Sequence, residues 1–280
     1  MEKNRWADPN GFTMVLHSTK RKYARLFLEK GQIKFSTPAS WVEYENAHGQ
    51  GRGDRLEGTM ATFNIFDSQH AIGIFQKYKK SYNDLLRIID DDGRVYLKRE
   101  RDMQLPCFCF YCLYNKMFAC PQNLGMQELE TIIPESYFKD LTDYKSSEKI
   151  EKLPEDEKPV LLIVEDYSEF KNRLISKLMK MGIPKHEILE VRIEYINFNQ
   201  YEKYSWWDFG QKSPMELAIK HDRFKGQNEA RFIINTDCQE VLQKLENPIE
   251  IGPLKDICGL CNFYFYNGAK VVMKAEIDRL

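Results

Sequence analysis

An α+β fold, with mixed or antiparallel sheets and flanking helices, is what this 280-residue chain predicts. Three observations carry the expectation. Segments with a two-residue apolar period alternate with segments of helical period, but without the regular strand–helix–strand rhythm of a doubly wound parallel sheet. Short β-type runs bounded by turn residues recur along the chain, and Asn267-Gly268 stands between two of them as a hairpin signal. Apolar residues make up 42% of the chain, with 17 Phe and 15 Tyr, so one main core can be filled and residues 1–280 read as a single elaborated domain.

Taken in order, the apolar run Phe12 to Leu16 predicts a strand that stops at His17-Ser18-Thr19, where Ser18 or Thr19 can cap a following helix. That helix carries Tyr23, Leu26 and Phe27 on one face and ends at Gly31, after which Ile33 and Phe35 alternate with polar residues as a second strand. Thr59 to Phe66, Arg94 to Lys98 and Leu105 to Leu113 read as strands, and Asp90-Asp91-Asp92-Gly93 as a turn. From Pro121 to Lys158 the chain becomes charged and proline-broken, so 121–158 is expected to be an exposed insertion. Pro159 to Val164 is a continuous apolar run suited to a central strand, and Tyr167 to Met181 an amphipathic helix ended by Gly182. Ile188 to Phe198 alternates as a strand. Ser213-Pro214-Met215-Glu216 has the form of a helix start, with a helix expected to about His221.

The 41 basic and 42 acidic side chains nearly cancel, so no overall field draws the chain to nucleic acid or anionic lipid, although Lys20-Arg21-Lys22 is a local basic patch. No apolar stretch approaches the roughly 20 residues of a membrane span, and the opening MEKNRWADPNG lacks the apolar core of a secretory signal. These features predict a cytoplasmic protein with no membrane partner. The seven cysteines are then expected as reduced thiols. Cys107, Cys109, Cys112 and Cys120, together with Cys258 and Cys261 of a CGLC knuckle, supply enough thiolates for a structural zinc. Against that, Cys107-x-Cys109 is strand alternation between aromatic neighbours, which suits cysteine as a small buried hydrophobe.

Four polar clusters interrupt the scaffold. His17-Ser18-Thr19 at a strand-to-helix corner is either a capped helix with a hydrogen-bonded histidine or a receptor for an anionic or ribose-bearing ligand. The loop from His48 to Thr59 contains four glycines before Thr59, with Arg52 and Arg55 as forked donors to phosphate, yet lacks the GK[ST] ending of a P-loop; a surface loop with locally paired Arg and Asp is the other reading. Gln227, Glu229 and Arg231 project to one face if a strand begins near Asn228. A carboxylate there can stabilise positive charge developing at a ribose carbon, or form a salt bridge with Arg231 or Lys225. The aromatic run Tyr201, Tyr204, Trp206, Trp207 and Phe209 can stack on a base or pack as a lid, and Trp41 and Tyr44 raise the same choice.

The early His17-Ser-Thr, the Phe35-Ser36-Thr37 strand and the late Gln227-x-Glu229 are together similar, in that order, to the ADP-ribosyltransferase superfamily. The resemblance implies an ADP-ribosyltransferase-like core that uses NAD as substrate. It implies His17 as the NAD-ribose contact, Ser36 and Thr37 as the Ser-Thr element, and Gln227 with Glu229 as the catalytic pair. Pro38 stands where that element has its third residue. The chain also resembles, over most of its length, a large bacterial family of uncharacterised domains, some associated with abortive phage resistance. The matching pieces are HSTxxxYAxxFLxxGxIKFSTP, GRGDRLEGT, LPCFCF, QNEARF and IEIGP. Members of that family usually show an Asn-Asp-Pro-Phe-Glu-like turn where this chain has Gly53-Asp54-Arg55-Leu56-Glu57, so Asp54 and Glu57 keep the acidic spacing.

The combined expectation is an NAD-using transferase or glycohydrolase in antiviral defence, with Arg52 or Arg55 on pyrophosphate and a protein or nucleic acid as acceptor. The alternative is a non-catalytic sensor or toxin–antitoxin-like partner. A nuclease would need metal-binding acids grouped around Asp54 and Glu57.

Overall fold

In a computed structural model, the described residues are 11–48, 54–66, 69, 73, 76, 85–118, 125–133, 150–198, 214–262 and 269–277. The chain forms two compact units, each built from separated segments. Unit 1 takes Met1–Ile33, Cys109–Met181 and Pro248–Leu280, and unit 2 takes Lys34–Phe108 and Gly182–Asn247.

The first half of the chain gives β1 (Phe12–Lys20), α1 (Arg21–Lys30), β2 (Gln32–Ile33), α2 (Pro38–His48), β3 (Thr59–Asn64), β4 (Leu85–Ile89), β5 (Arg94–Arg99), α3 (Glu100–Met103), β6 (Cys107–Tyr114) and β7 (Gly125–Ile133). The second half gives β8 (Pro159–Val164), α4 (Tyr167–Lys180), β9 (Ile188–Arg192), β10 (Glu194–Ile196), β11 (Ile219–His221), β12 (Glu229–Ile234), α5 (Gln239–Leu245), β13 (Ile249–Glu250), β14 (Cys258–Asn262) and β15 (Ala269–Ile277). The class is α+β, with mostly antiparallel pairing as expected.

In unit 1 the strands run β14-β8-β1-β6, all antiparallel. The apolar run of β8 is central because it is hydrogen-bonded on both sides. Strand β1 does not stop at Leu16: its ladder with β8 continues through His17↔Leu162, Ser18↔Leu161, Thr19↔Val160 and Lys20↔Pro159. His17, Ser18 and Thr19 therefore lie inside a strand, and Lys20 is the residue that precedes α1, without a side-chain cap. Pairing with a long-range partner has overridden the local capping signal, since a backbone already bonded to β8 gains nothing from turning early. Helix α1 buries Ala24 and Phe27 but leaves Tyr23 exposed, and the Phe27 ring lies 6.0 Å from Phe170 of α4.

Gly31 ends α1 in the left-handed region at φ 63°, and its N–H donates to the Phe27 carbonyl at 2.8 Å. In α4 the cap is Asp166, whose side chain accepts from the Glu169 N–H, and Tyr167, Phe170, Leu174 and Leu178 form the buried stripe. Residues 125–133 of the charged segment form β7, paired along its length with β15 from Gly125↔Ile277 to Ile133↔Ala269. Strand β14 pairs with β8 and β15 with β7; residues 263–268, which hold Asn267-Gly268 and the run before it, lie outside the described residues. At the end of the same segment, Glu157 accepts from Lys20 and Lys22, and Asp156 from Arg25.

Unit 2 holds a three-stranded antiparallel sheet, β3-β5-β4, a parallel pair β10-β11 and an antiparallel pair β12-β9. Met60, Phe63, Val95 and Leu97 pack with Phe198 and Ile219. The Asp90–Gly93 turn joins β4 to β5, with Gly93 at φ 76°. Ile188 to Phe198 is two short strands, divided at Ile193, whose N–H donates to the Glu229 carbonyl at 3.0 Å. The helix expected from Ser213 is a short 3-10 turn, Met215–Ala218, followed at once by β11. Glu216, the would-be capping-box acid, is drawn into the interior against Arg99, and Ser213 lies outside the described residues.

Candidate functional site

The polar centre of unit 2 begins at Asn228, which is left-handed at φ 39° and turns the chain into β12. Period-two alternation then puts Glu229 and Arg231 on one side of the strand, as the spacing predicts. Every residue of β12 is buried, and Arg231 has no exposed surface, so the guanidinium must be satisfied internally. Its Nη1 donates to Glu57 Oε1 at 2.6 Å, and its Nε and Nη2 both reach Glu229 Oε1, the former at 3.0 Å. The same guanidinium lies 5.1 Å from the centre of the Trp41 ring, a cation–π distance.

Lys220 on β11 ties the other half together. Its Nζ donates to Gln227 Oε1 at 2.7 Å and to Glu229 Oε2 at 3.0 Å, stands 4.0 Å from Glu57 Oε2, and lies 4.9 Å from the centre of the Phe224 ring. The Glu229 backbone N–H donates to the Tyr195 hydroxyl at 2.8 Å. Asp54 and Glu57 arrive on the tight turn before β3, where Asp54 Oδ1 accepts from the Leu56 N–H at 2.9 Å. Asp54 Oδ2 and Glu57 Oε2 are buried without a hydrogen-bond donor among the described residues. At the outer edge the Glu229 and Lys220 side chains keep 10% and 8% of their surface, while Glu57 and Arg231 beneath keep none.

Charges this close in a low-dielectric interior move each other's protons. Burial pushes the Glu57 carboxyl above its ordinary range, with the charges of Glu229 and Asp54 adding to it and those of Arg231 and Lys220 opposing it. Burial alone would lower Lys220, but Glu229 and Glu57 outweigh it and its pKa is raised. Lys98, whose Nζ donates to the Arg55 carbonyl at 2.6 Å, is brought down by burial to about 8 despite the nearby charges of Glu57 and Asp54.

Of the residues expected to form a site, Gln227 and Glu229 are brought side by side on one ammonium. Ser36 exchanges backbone hydrogen bonds with Cys107, at 2.9 and 2.7 Å, and Thr37 accepts from the Ser40 N–H at 3.2 Å at the start of α2. The Arg55 side chain is exposed and paired with Asp90. His17 belongs to unit 1, where Nδ1 is 3.2 Å from the Cys109 carbonyl. Arg52 and the aromatic run 201–209 lie outside the described residues. Sequence reasoning named Arg231 as a possible partner of Glu229 but Lys225 as the other; Lys220 takes that place. Its signal was a lysine directly after the apolar run Leu217–Ile219, a position that a buried counter-charge makes tolerable.

Among the described residues no group of three or more His, Cys, Asp or Glu side chains is arranged to hold a metal ion. Cys258 and Cys261, three apart on a strand, emerge on opposite faces. Cys107 is buried and its thiol is pushed up to about 12 by that burial. No protein-family model, curated protein or solved structure matches this chain.

Proposed function

We propose that unit 2 carries an NAD-consuming, ADP-ribosyltransferase-like site of a bacterial antiviral effector, in which Glu229 acts on the reacting ribose and Gln227 orients the substrate. The observation that supports this reading is the shared grip of Lys220 on Gln227 and Glu229, which holds the amide and the carboxylate in one orientation at the partly exposed edge of a buried charge cluster. Cleavage of the nicotinamide–ribose bond develops positive charge at the ribose carbon, and a carboxylate fixed in advance stabilises that charge without reorganising. Arg231, itself anchored by Glu57, holds Glu229 from below, which limits its rotamers.

A second reading is favoured by the same contacts. Both oxygens of Glu229 are engaged by protein cations, as in an ionic network that only fixes the fold of a non-catalytic interaction protein. Incubating the protein with NAD labelled in the adenosine moiety, with and without a bacterial cell extract, separates the two. Label in protein, nucleic acid or free ADP-ribose supports the enzyme, and label remaining in NAD under all conditions supports the interaction protein.

A further inference from the structure

We propose that Arg223, on the turn that leads into Gln227 and Glu229, is the anchor for the phosphate of a nucleotide ligand. The proposal deepens the reading of Glu229 as the group that acts on a ribose, and it rests on that reading.

Position comes first. The buried Phe224 ring has the Arg223 guanidinium carbon 4.5 Å from its centre and the Lys220 Nζ 4.9 Å from it. One ring therefore carries both cations, and Lys220 in turn donates to Glu229 Oε2 at 3.0 Å. Packing against an aromatic ring steadies a guanidinium without occupying its donors. The outer cation of this pair thus stands one side chain away from the cation that grips the carboxylate.

Availability comes second. Arg223 keeps 53% of its side-chain surface, whereas Arg99, Arg101 and Arg231 of the same unit each donate closely to a buried acid. Its Nη2 stands 3.5 Å from Asp54 Oδ1, at the outer limit of a hydrogen bond, and that oxygen already accepts from the Leu56 N–H at 2.9 Å. Among the described residues no other acid pairs with Arg223. A guanidinium carries its N–H donors in a planar fork, so Asp54 on the buried side can orient it and leave the outer donors for a ligand.

The neighbouring charges do not claim it. Glu57 is held by Arg231, Glu229 by Arg231 and Lys220, and Asp222 lies 2.8 Å from His221 Nδ1. Arg55, the phosphate donor expected from the sequence, is paired with Asp90.

The spacing names the ligand class. A forked cation suits carboxylate and phosphate alike. In a nucleotide the reacting ribose carbon and the nearest phosphate are separated by the sugar ring and one methylene. That separation matches a carbon held at Glu229 and an anion held across the Phe224 ring from Lys220. No bond forms or breaks at Arg223; its part is binding.

The test is calorimetric titration of ADP and of adenosine into wild type, Arg223→Gln, Arg223→Lys and Lys225→Gln, each verified as folded by circular dichroism. Wild type is expected to bind ADP more tightly than adenosine. Arg223→Gln should bind ADP about tenfold to a hundredfold more weakly, the worth of charge-assisted hydrogen bonds, and adenosine as wild type does. Arg223→Lys should recover only part of the loss, since an ammonium cannot fork. Lys225, exposed on the same turn, controls for diffuse charge, and Lys225→Gln should stay close to wild type. The proposal is overturned by a wild type that binds ADP no better than adenosine, by equal ADP affinity in Arg223→Gln, or by an equal loss in Lys225→Gln. Steady-state NAD turnover separates it from the reading beneath. ADP binding that depends on Arg223 in a protein that leaves NAD intact keeps the anchor and sinks the enzyme. NAD consumption with an unchanged KM in Arg223→Gln does the reverse.

Discussion

At the residue scale, the chemistry of unit 2 turns on charges placed where water cannot screen them. Arg231 is the clearest case, because its guanidinium is the common partner of Glu57 and Glu229. Arg231→Met should destabilise by about 3–5 kcal/mol, the cost of leaving a buried partner unpaired, read as a lower urea midpoint. Loss of less than about 1 kcal/mol, the value of an exposed pair, would show that the network is loosely hydrated. Lys98 gives a second test. Its pKa of about 8 lies below the ordinary lysine value of 10.5, so the folded state releases this proton before the unfolded chain does. The penalty is present below about pH 8 and is relieved as pH climbs toward the unfolded value. The relief amounts to at most about 3 kcal/mol. The stability difference between wild type and Lys98→Met should change across that window, and an unchanging difference would contradict the assignment. What was legible here was the alternation of Glu229 and Arg231; Lys220 and Glu57 were not, because their meeting depends on pairing between segments remote in sequence.

At the element scale, the sequence was most readable where local and long-range preferences agree. The apolar run Pro159–Val164 became β8 with the bounds its composition implies, and α4 followed with an Asp cap before a buried stripe at helical spacing. Readings failed where they disagreed. The His17-Ser18-Thr19 cap signal gave way to a ladder with β8, and the Ser213 helix signal to a short turn with Glu216 buried. Strand β4 was missed because its residues are half-buried or exposed without alternation, and β7 because exposed Met126 and Ile132 and buried Thr131 blur the apolar pattern of a strand whose burial alternates. The Gly31 turn is where the local rule held, and it carries a prediction. At φ 63° a side chain is strained, and an added Cβ would lie 2.1 Å from the Gly252 carbonyl oxygen and 2.7 Å from the Ile251 side chain. Gly31→Ala should therefore cost more than the roughly 1 kcal/mol of the backbone conformation alone, seen as a lower thermal midpoint. A midpoint equal to wild type would mean that the turn relaxes freely.

At the scale of the whole molecule, each unit is closed by segments far apart in the chain. Unit 1 needs Pro248–Leu280 for β13, β14 and β15, and unit 2 needs Gly182–Asn247 for β9 to β12. A protein ending at Met181 should show no cooperative thermal transition, since both cores would lack strands; a sharp transition by circular dichroism would contradict this assembly. Among the described residues no helix is long and apolar enough to cross a membrane. The functional claim rests on the carboxylate at the start of β12, and one comparison tests it most directly: steady-state NAD consumption by wild type and Glu229→Gln, with folding verified for both. A fall in kcat of about a hundredfold or more with KM for NAD little changed is expected, because the lost interaction is made only as the bond breaks. Equal kcat values in two folded proteins would contradict it.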